Sequence, residues 1–164
     1  SRFSGGIAKW LALQSVKSLS PEEDIPGLYQ FQFGGLWGFE EVFRVPLAVS
    51  ITNEEDIQIH MPSLRPVDCI KGPRDTVSVD CTFAVAACDL AAGMPLGNHL
   101  VRWNMPYNTA VVPAQTFTLS CRHAVGSLMV VTGGLRFNVL KNGASLVSDK
   151  PSYITCSVIK SWYL

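Results

Sequence analysis

Apolar and polar side chains alternate with a period of two in several short segments of the chain. In residues 77–87 every second side chain is apolar, and the residues between them are mostly small or polar. Residues 117–121 repeat the pattern, as does the segment in which Ile154, Cys156 and Val158 are the apolar positions. A period of two places successive side chains on opposite faces of a strand. These segments therefore predict strands with one face toward a core.

Residues 53–55, an asparagine followed by two glutamates, form a short polar connection between two further apolar segments, residues 42–52 and 56–61. Such a connection between two apolar segments predicts a hairpin whose acidic loop lies in water. Pro46 lies inside the first of these predicted strands and cannot donate a ladder hydrogen bond, which favours an edge strand or a bulge.

A second hairpin is predicted where residues 135–139 lead into Asn142-Gly143, because Asn-Gly supplies the positive φ angles of a tight turn. Gly133 and Gly134 stand just before this strand, among apolar residues. Two adjacent glycines in such a segment predict a bulge, or a bend at which the strand passes from one sheet to the other.

The predicted strands recur at short intervals, and no long segment shows a helical period. We therefore expect an all-β fold, a two-sheet antiparallel β-sandwich of the immunoglobulin or fibronectin-III-like Greek-key type. The length of 164 residues suits one domain. Residues 21–164 are predicted to form the sandwich and residues 1–20 an amino-terminal arm or strand. Within the arm, the composition of residues 7–19 fits either a helix or a strand.

Composition narrows the class of protein. Hydrophobic residues make up 48% of the chain and charged residues 16%, so it carries enough apolar surface to fold. Its 13 basic and 13 acidic residues leave a net charge of zero, which disfavours a nucleic-acid partner. No apolar run approaches the ~20 residues of a membrane span. Because residue 1 is Ser and residues 1–6 lack the charged and apolar regions of a signal peptide, we expect that an upstream segment has been removed or left out. Separately, an extracellular or cell-surface location is favoured.

The five cysteines have no CxxC pair and no histidine at finger spacing, which argues against structural zinc. Four of them can pair and leave one free, but buried free thiols in a domain with a full core are the favoured interpretation. These residues are Cys69, Cys81, Cys88, Cys121 and Cys156.

No catalytic constellation stands out. His60, His99 and His123 fall on three different segments without a metal-binding or hydrolase spacing. Acidic clusters such as residues 54–56 lack the spaced pattern of a calcium loop and suit solvated loops. The sequence thus predicts a non-enzymatic protein without a cofactor or a metal.

Residues 25–43 are irregular in pattern, with glycines set among aromatic residues. Tyr29, Trp37 and Phe39 are candidate residues for a ligand or partner surface, because planar side chains on a β scaffold stack on sugar rings. The alternative is that they are core residues, with Trp37 and Phe39 covering the open end of the core.

Several short segments from residue 65 onward carry a resemblance: residues 65–68 (RPVD), 73–79 (PRDTVSV), 86–90 (AACDL), 106–107 (PY) and 113–116 (PAQT). Over residues 65–164 the chain resembles an uncharacterised family of Bacteroidota proteins. The resemblance implies kinship and no activity, because its motifs are turn and strand signatures.

Two functions fit these observations. The first is a structural or assembly role, in which the sandwich packs against copies of itself in a surface filament, appendage or particle. Residues 7–19 are then an arm that completes the sheet of a neighbouring copy. The alternative is a module that binds a glycan or another surface protein through Tyr29, Trp37 and Phe39.

Overall fold

The computed structural model describes residues 32–34, 36–53, 55–150 and 153–164. The predicted arm at residues 1–20 and the candidate residue Tyr29 lie outside the described residues.

The described residues form nine strands and two one-turn helices. The first strand is short, and the longest strands, β4, β5 and β7, form the middle of the fold. In chain order the elements are β1 (Gln32–Gly34), α1 (Phe39–Val42), β2 (Ala48–Ile51), β3 (Asp56–Met61), α2 (Pro66–Cys69), β4 (Thr76–Asp89), β5 (Met94–Pro106), β6 (Gln115–Ser120), β7 (Ser127–Lys141), β8 (Ala144–Val147) and β9 (Thr155–Tyr163).

These strands make two antiparallel sheets, which confirms the predicted all-β sandwich class. The larger sheet has the order β1-β9-β7-β4-β5, and β8 pairs with the far end of β7. The smaller sheet has the order β2-β3-β6. An immunoglobulin domain pairs its first strand with its second, whereas the first described strand here pairs with the last. Immunoglobulin-like topology is therefore not confirmed.

The core lies between the inner faces of the two sheets, and β4 contributes most clearly to it. Val79, Cys81, Phe83, Val85 and Ala87 are all buried, as the period-two pattern predicted. The ring of Phe83 meets that of Phe117 from the smaller sheet at 5.1 Å between centroids. The predicted face fails only at its first position, because Val77 is 40% exposed.

Strand β9 forms where the sequence predicted it, but the predicted inner face is wrong. Thr155 and Ser157 are buried, whereas Ile154 is 40% exposed and Cys156 is partly exposed. Val158 is the one predicted apolar position that is buried. The pairing of β9 with β7 shifts register between Val131 and Thr132. The extra residue is Ile159, so the bulge changes the side on which only the residues after it lie.

The predicted strand at residues 42–52 is only half correct. Val42 belongs to helix α1, and the strand itself, β2, begins at Ala48, after Pro46. β2 is an edge strand of the smaller sheet, as the proline suggested. The turn to β3 is confirmed, and in it Asn53 Oδ1 accepts hydrogen bonds from the backbone N–H groups of Glu55 and Asp56.

The hairpin from β7 to β8 is confirmed, with positive φ angles of 51° at Asn142 and 77° at Gly143. Neither a bulge nor a bend between sheets lies at Gly133 and Gly134. Both glycines pair in register with β4 and β9, and β7 remains in the larger sheet along its whole length. The two glycines instead give room to neighbours, with the ring of Phe39 against Gly133.

Candidate functional site

The outer face of the larger sheet is divided into a polar half and an apolar half along strand β4. One half carries Asp80 and Thr82, and the other carries Ala84 and Ala86. Because β5 and β7 flank β4 on its two sides, each of these residues has neighbours on both strands. The register therefore gathers side chains that are far apart in sequence into two adjoining surfaces.

The polar half forms an open depression of about 440 Å³. Asp80 lies opposite Asn104 on β5 and Arg136 on β7, and Thr82 lies opposite Arg102. Trp103, Leu135 and Ile154 also line the depression, so part of its wall is apolar. We name the polar part the polar cleft, and we include in it Ser78 and Asn138, which adjoin the depression through its hydrogen-bond network. The polar cleft thus comprises Ser78, Asp80, Thr82, Arg102, Asn104, Arg136 and Asn138.

A hydrogen-bond network across three strands fixes the centre of the polar cleft. The carboxylate of Asp80 accepts a bond from Nδ2 of Asn104 at 2.6 Å and another from Nδ2 of Asn138 at 3.0 Å. The hydroxyl of Ser78 accepts from the same two amides, at 3.2 Å and 3.0 Å. Each asparagine Nδ2 donates one hydrogen bond to Ser78 and one to Asp80. These two bonds hold each side-chain amide in one orientation.

Two arginines flank this network. Arg102 and Arg136 are exposed, and within the described part of the chain neither side chain forms an ion pair or a hydrogen bond. Arg136 is the cross-strand neighbour of Asp80, yet the Asp80 carboxylate binds the asparagine amides instead. The cleft therefore carries two positive charges beside one negative charge.

The apolar half forms a groove of about 470 Å³. Ala84 lies opposite Leu100 on β5, and Ala86 lies opposite Val130 on β7, so small residues form the floor between larger ones. Phe33 and Leu100 are 48% and 47% exposed. We name this surface the apolar groove; it is lined mainly by Phe33, Ala84, Ala86, Leu100, Leu128 and Val130.

The predicted aromatic surface is not assembled by the described residues. Phe39 is 1% exposed and stacks on Phe43 with ring centroids 5.1 Å apart, so it is a core residue. Trp37 is 40% exposed and holds Nζ of Lys71 at 4.4 Å from its ring centroid. Trp37 is thus accessible to a ligand, whereas Phe39 is not.

The sequence analysis did not predict the polar cleft or the apolar groove, although the residues of β4 indicate both. The face of β4 opposite the core changes from Ser78, Asp80 and Thr82 to Ala84 and Ala86. That change marks the boundary between the cleft and the groove. The partners from β5 and β7 depend on strand register, which the pattern alone does not give.

The remaining candidate groups for chemistry are histidines, cysteines and acidic residues. The described ranges contain no group of three or more of them placed to hold a metal ion. All five cysteines are free, and burial raises the pKa of Cys81, with the negative charge of Asp80 adding to the effect.

His99 accepts a hydrogen bond from the backbone N–H of Ser120 at 2.8 Å, which links the edge strand β5 to β6. No helix among the described residues has the length and apolarity needed to cross a membrane.

Comparison with known proteins adds little to this description. No protein-family model matches the sequence, and no curated protein is similar to it. A solved protein from Archaeoglobus fulgidus is similar over 73% of this chain and 94% of its own, with 8% identity and a TM-score of 0.34. A similarity of that size establishes neither a shared fold nor a shared function. The resemblance to a Bacteroidota family stays a prediction.

Proposed function

We propose that this protein is a non-enzymatic assembly subunit, a β-sandwich that associates with copies of itself in a filament, appendage or particle. The observation that carries the proposal is the apolar groove on the outer face of the larger sheet. The occupant that we infer is the amino-terminal arm, residues 7–19, of a neighbouring copy.

The groove favours an apolar occupant. Its lining is almost entirely apolar. Phe33 and Leu100 each leave nearly half of their surface in water, whereas Leu128 and Val130 are buried. Covering apolar surface contributes roughly 25 cal/mol per Å². Contiguous apolar patches on a sheet face mark interaction surfaces more often than isolated exposed residues do.

The chain itself offers a suitable occupant. Residues 7–19 include Ile7, Trp10, Leu11 and Leu13, and they precede β1 in the sequence. Strand β1 lies at one edge of the larger sheet, and its Phe33 lines the groove. An intervening segment of the length of residues 20–31 can span up to about 40 Å, which is enough to reach an adjacent subunit.

Charge does not oppose the association. The net charge is zero, so copies of the chain do not repel one another at long range. A contact in which the arm of one copy binds the groove of the next is heterologous. Heterologous contacts repeat from subunit to subunit and generate rings or filaments.

Complementation between two full-length variants tests this arrangement. Leu100→Glu damages the groove and leaves the arm intact, whereas Trp10→Glu damages the arm and leaves the groove intact. We expect the native chain to associate and each variant alone to be monomeric in light scattering. An equimolar mixture should restore a mixed dimer, visible by native mass spectrometry, because the intact arm of one variant binds the intact groove of the other.

Val111→Glu provides the matched control, since Val111 is exposed on the loop between β5 and β6, outside the groove. This variant should associate like the native chain. Circular dichroism checks that all three variants are folded. A native chain that is monomeric at every concentration would refute self-association. Variants that fail to form a mixed dimer would refute the exchange of arms.

The alternative function, a glycan-binding module built on Tyr29, Trp37 and Phe39, has less support. Its stacking surface would need Phe39, which is buried against Phe43. A ligand-binding role is better placed at the polar cleft.

A further inference from the structure

We propose that the polar cleft binds an acidic saccharide, a sugar that presents a carboxylate beside hydroxyl groups. This inference does not depend on the assembly role, because the cleft and the apolar groove occupy different halves of the sheet.

The two arginines supply the site for the carboxylate. Arg102 and Arg136 lie on the two strands that flank β4, and their side chains have no ionic partner in the ranges that the structure describes. A guanidinium offers a planar pair of N–H donors that matches a carboxylate. The single carboxylate between them, on Asp80, hydrogen-bonds two amides and forms no ion pair with either arginine among the described residues, so two positive charges stand beside one negative charge.

The asparagines supply the site for hydroxyl groups. Nδ2 of Asn104 and Nδ2 of Asn138 each donate to both Ser78 and Asp80. Their amide oxygens accept no hydrogen bond from a described residue, so each is an acceptor held in a fixed orientation. A sugar hydroxyl can donate to such an oxygen and accept from a guanidinium.

Asp80 acts as a positioning residue. It does not face the ligand as a free charge, because its two oxygens hold the two asparagine amides in place. Fixing polar groups before binding reduces the entropy lost when a ligand is bound. The cleft volume of about 440 Å³ is within the usual range for small-ligand sites.

Titration of the full-length chain with glucuronate, followed by ¹H–¹⁵N NMR, tests the proposal. We expect shifts at the backbone amides of residues 80, 102, 104 and 136. Glucose and acetate distinguish carboxylate recognition from hydroxyl recognition, because glucose lacks the carboxylate and acetate lacks the hydroxyls. Each should bind at least about tenfold more weakly than glucuronate, which corresponds to about 1.4 kcal/mol.

Arg102→Gln and Arg136→Gln should each weaken glucuronate binding by about tenfold or more. Arg74→Gln is the matched control, because Arg74 is highly exposed and lies before β4, outside the cleft. Asp80→Ala should weaken glucuronate binding and should also broaden or shift the side-chain amide signals of Asn104 and Asn138.

Three outcomes would overturn the inference. The first is the absence of shifts with glucuronate at about 10 mM. The second is acetate binding as tightly as glucuronate, which would show an anion site without sugar recognition. The third is equal loss of binding in Arg74→Gln. Leu100→Glu should keep glucuronate binding, so failure of the assembly proposal leaves this one testable.

Discussion

The ring of Phe39 lies 3.0 Å from the position that a Cβ atom on Gly133 would take. Phe39 also stacks on Phe43 and meets the edge of Phe83, so its ring is held from several sides. A side chain at position 133 therefore has no room unless this ring moves. Gly133 is required because an aromatic ring of the core packs directly on the backbone of β7.

Gly133→Ala should destabilise the fold by about 1–3 kcal/mol, the usual cost of overpacking a core. Urea denaturation, followed by tryptophan fluorescence, measures the change in free energy of unfolding. The same substitution in a Phe39→Leu background should cost clearly less, because the smaller side chain leaves room for the new methyl group. An equal cost in both backgrounds would show that the ring is not the obstacle.

The alternation of residues predicted those strands whose polar and apolar faces differ consistently. In β4 and β6, Phe83 and Leu119 lie on the inner faces that the pattern indicated. In β9 the pattern indicated the wrong face, because the polar residues Thr155 and Ser157 are buried. Ser157 accepts a hydrogen bond from the backbone N–H of Phe39, a contact between distant residues that the alternation does not contain.

The candidate surfaces were harder to predict than the strands. Arg102 and Arg136 are 34 positions apart in the chain and become neighbours of Asp80 and Thr82 only through the pairing of β4 with β5 and β7. Strand order is a long-range property that local patterns do not contain. The aromatic residues of 25–43 led instead to the prediction of a ligand surface that includes Phe39. Phe39 is a buried core residue.

The buried hydroxyl of Ser157 gives a second prediction. Its Oγ accepts a hydrogen bond from the backbone N–H of Phe39 at 3.0 Å, and both groups are buried. Ser157→Ala removes the acceptor and leaves that N–H without a partner, which should cost about 1–3 kcal/mol in the free energy of unfolding. Thermal or urea denaturation measures the loss.

Thr155→Val is the matched control on the same face of β9. Thr155 is buried, and its Oγ1 has no hydrogen-bond partner among the described residues. Removing an unsatisfied hydroxyl while keeping the shape should be neutral or stabilise by up to about 1 kcal/mol. Destabilisation by Thr155→Val as large as that of Ser157→Ala would contradict this assignment of the two hydroxyls.

The cysteines provide a third prediction, based on thiol reactivity. Burial raises the pKa of Cys81 far above its ordinary value, and burial also raises that of Cys121. Both side chains are buried, whereas Cys69 is partly exposed. Because the thiolate is the reactive form, iodoacetamide should modify Cys81 and Cys121 at least about 100-fold more slowly than Cys69 in the native protein.

Peptide mapping by mass spectrometry reads out each cysteine of that experiment separately. In denaturant all five thiols should react at similar rates, which serves as the control. Rapid modification of Cys81 without denaturant would show that the interior of the sandwich opens far more readily than its packing implies.

The turn between β2 and β3 gives a pH-dependent prediction. Asn53 donates from Nδ2 to one carboxylate oxygen of Asp56 at 3.1 Å, and the hydroxyl of Ser120 donates to the other at 2.8 Å. These bonds lower the pKa of Asp56 below its ordinary value of 3.8, with Asn53 the larger cause. A lowered pKa in the folded state contributes stability above pH 3.8, and this contribution is lost as the pH falls through the lowered value.

Asp56→Ala should therefore reduce the melting temperature at neutral pH, and the difference from the native chain should shrink at pH values below 3.8. Differential scanning fluorimetry between neutral pH and about pH 2 follows both proteins. Asp149→Ala is the control, because Asp149 is exposed and its ion pair with Lys141, at 3.8 Å, contributes little. A difference that grows as the pH falls would mean that the charged form of Asp56 is not the one that the turn stabilises.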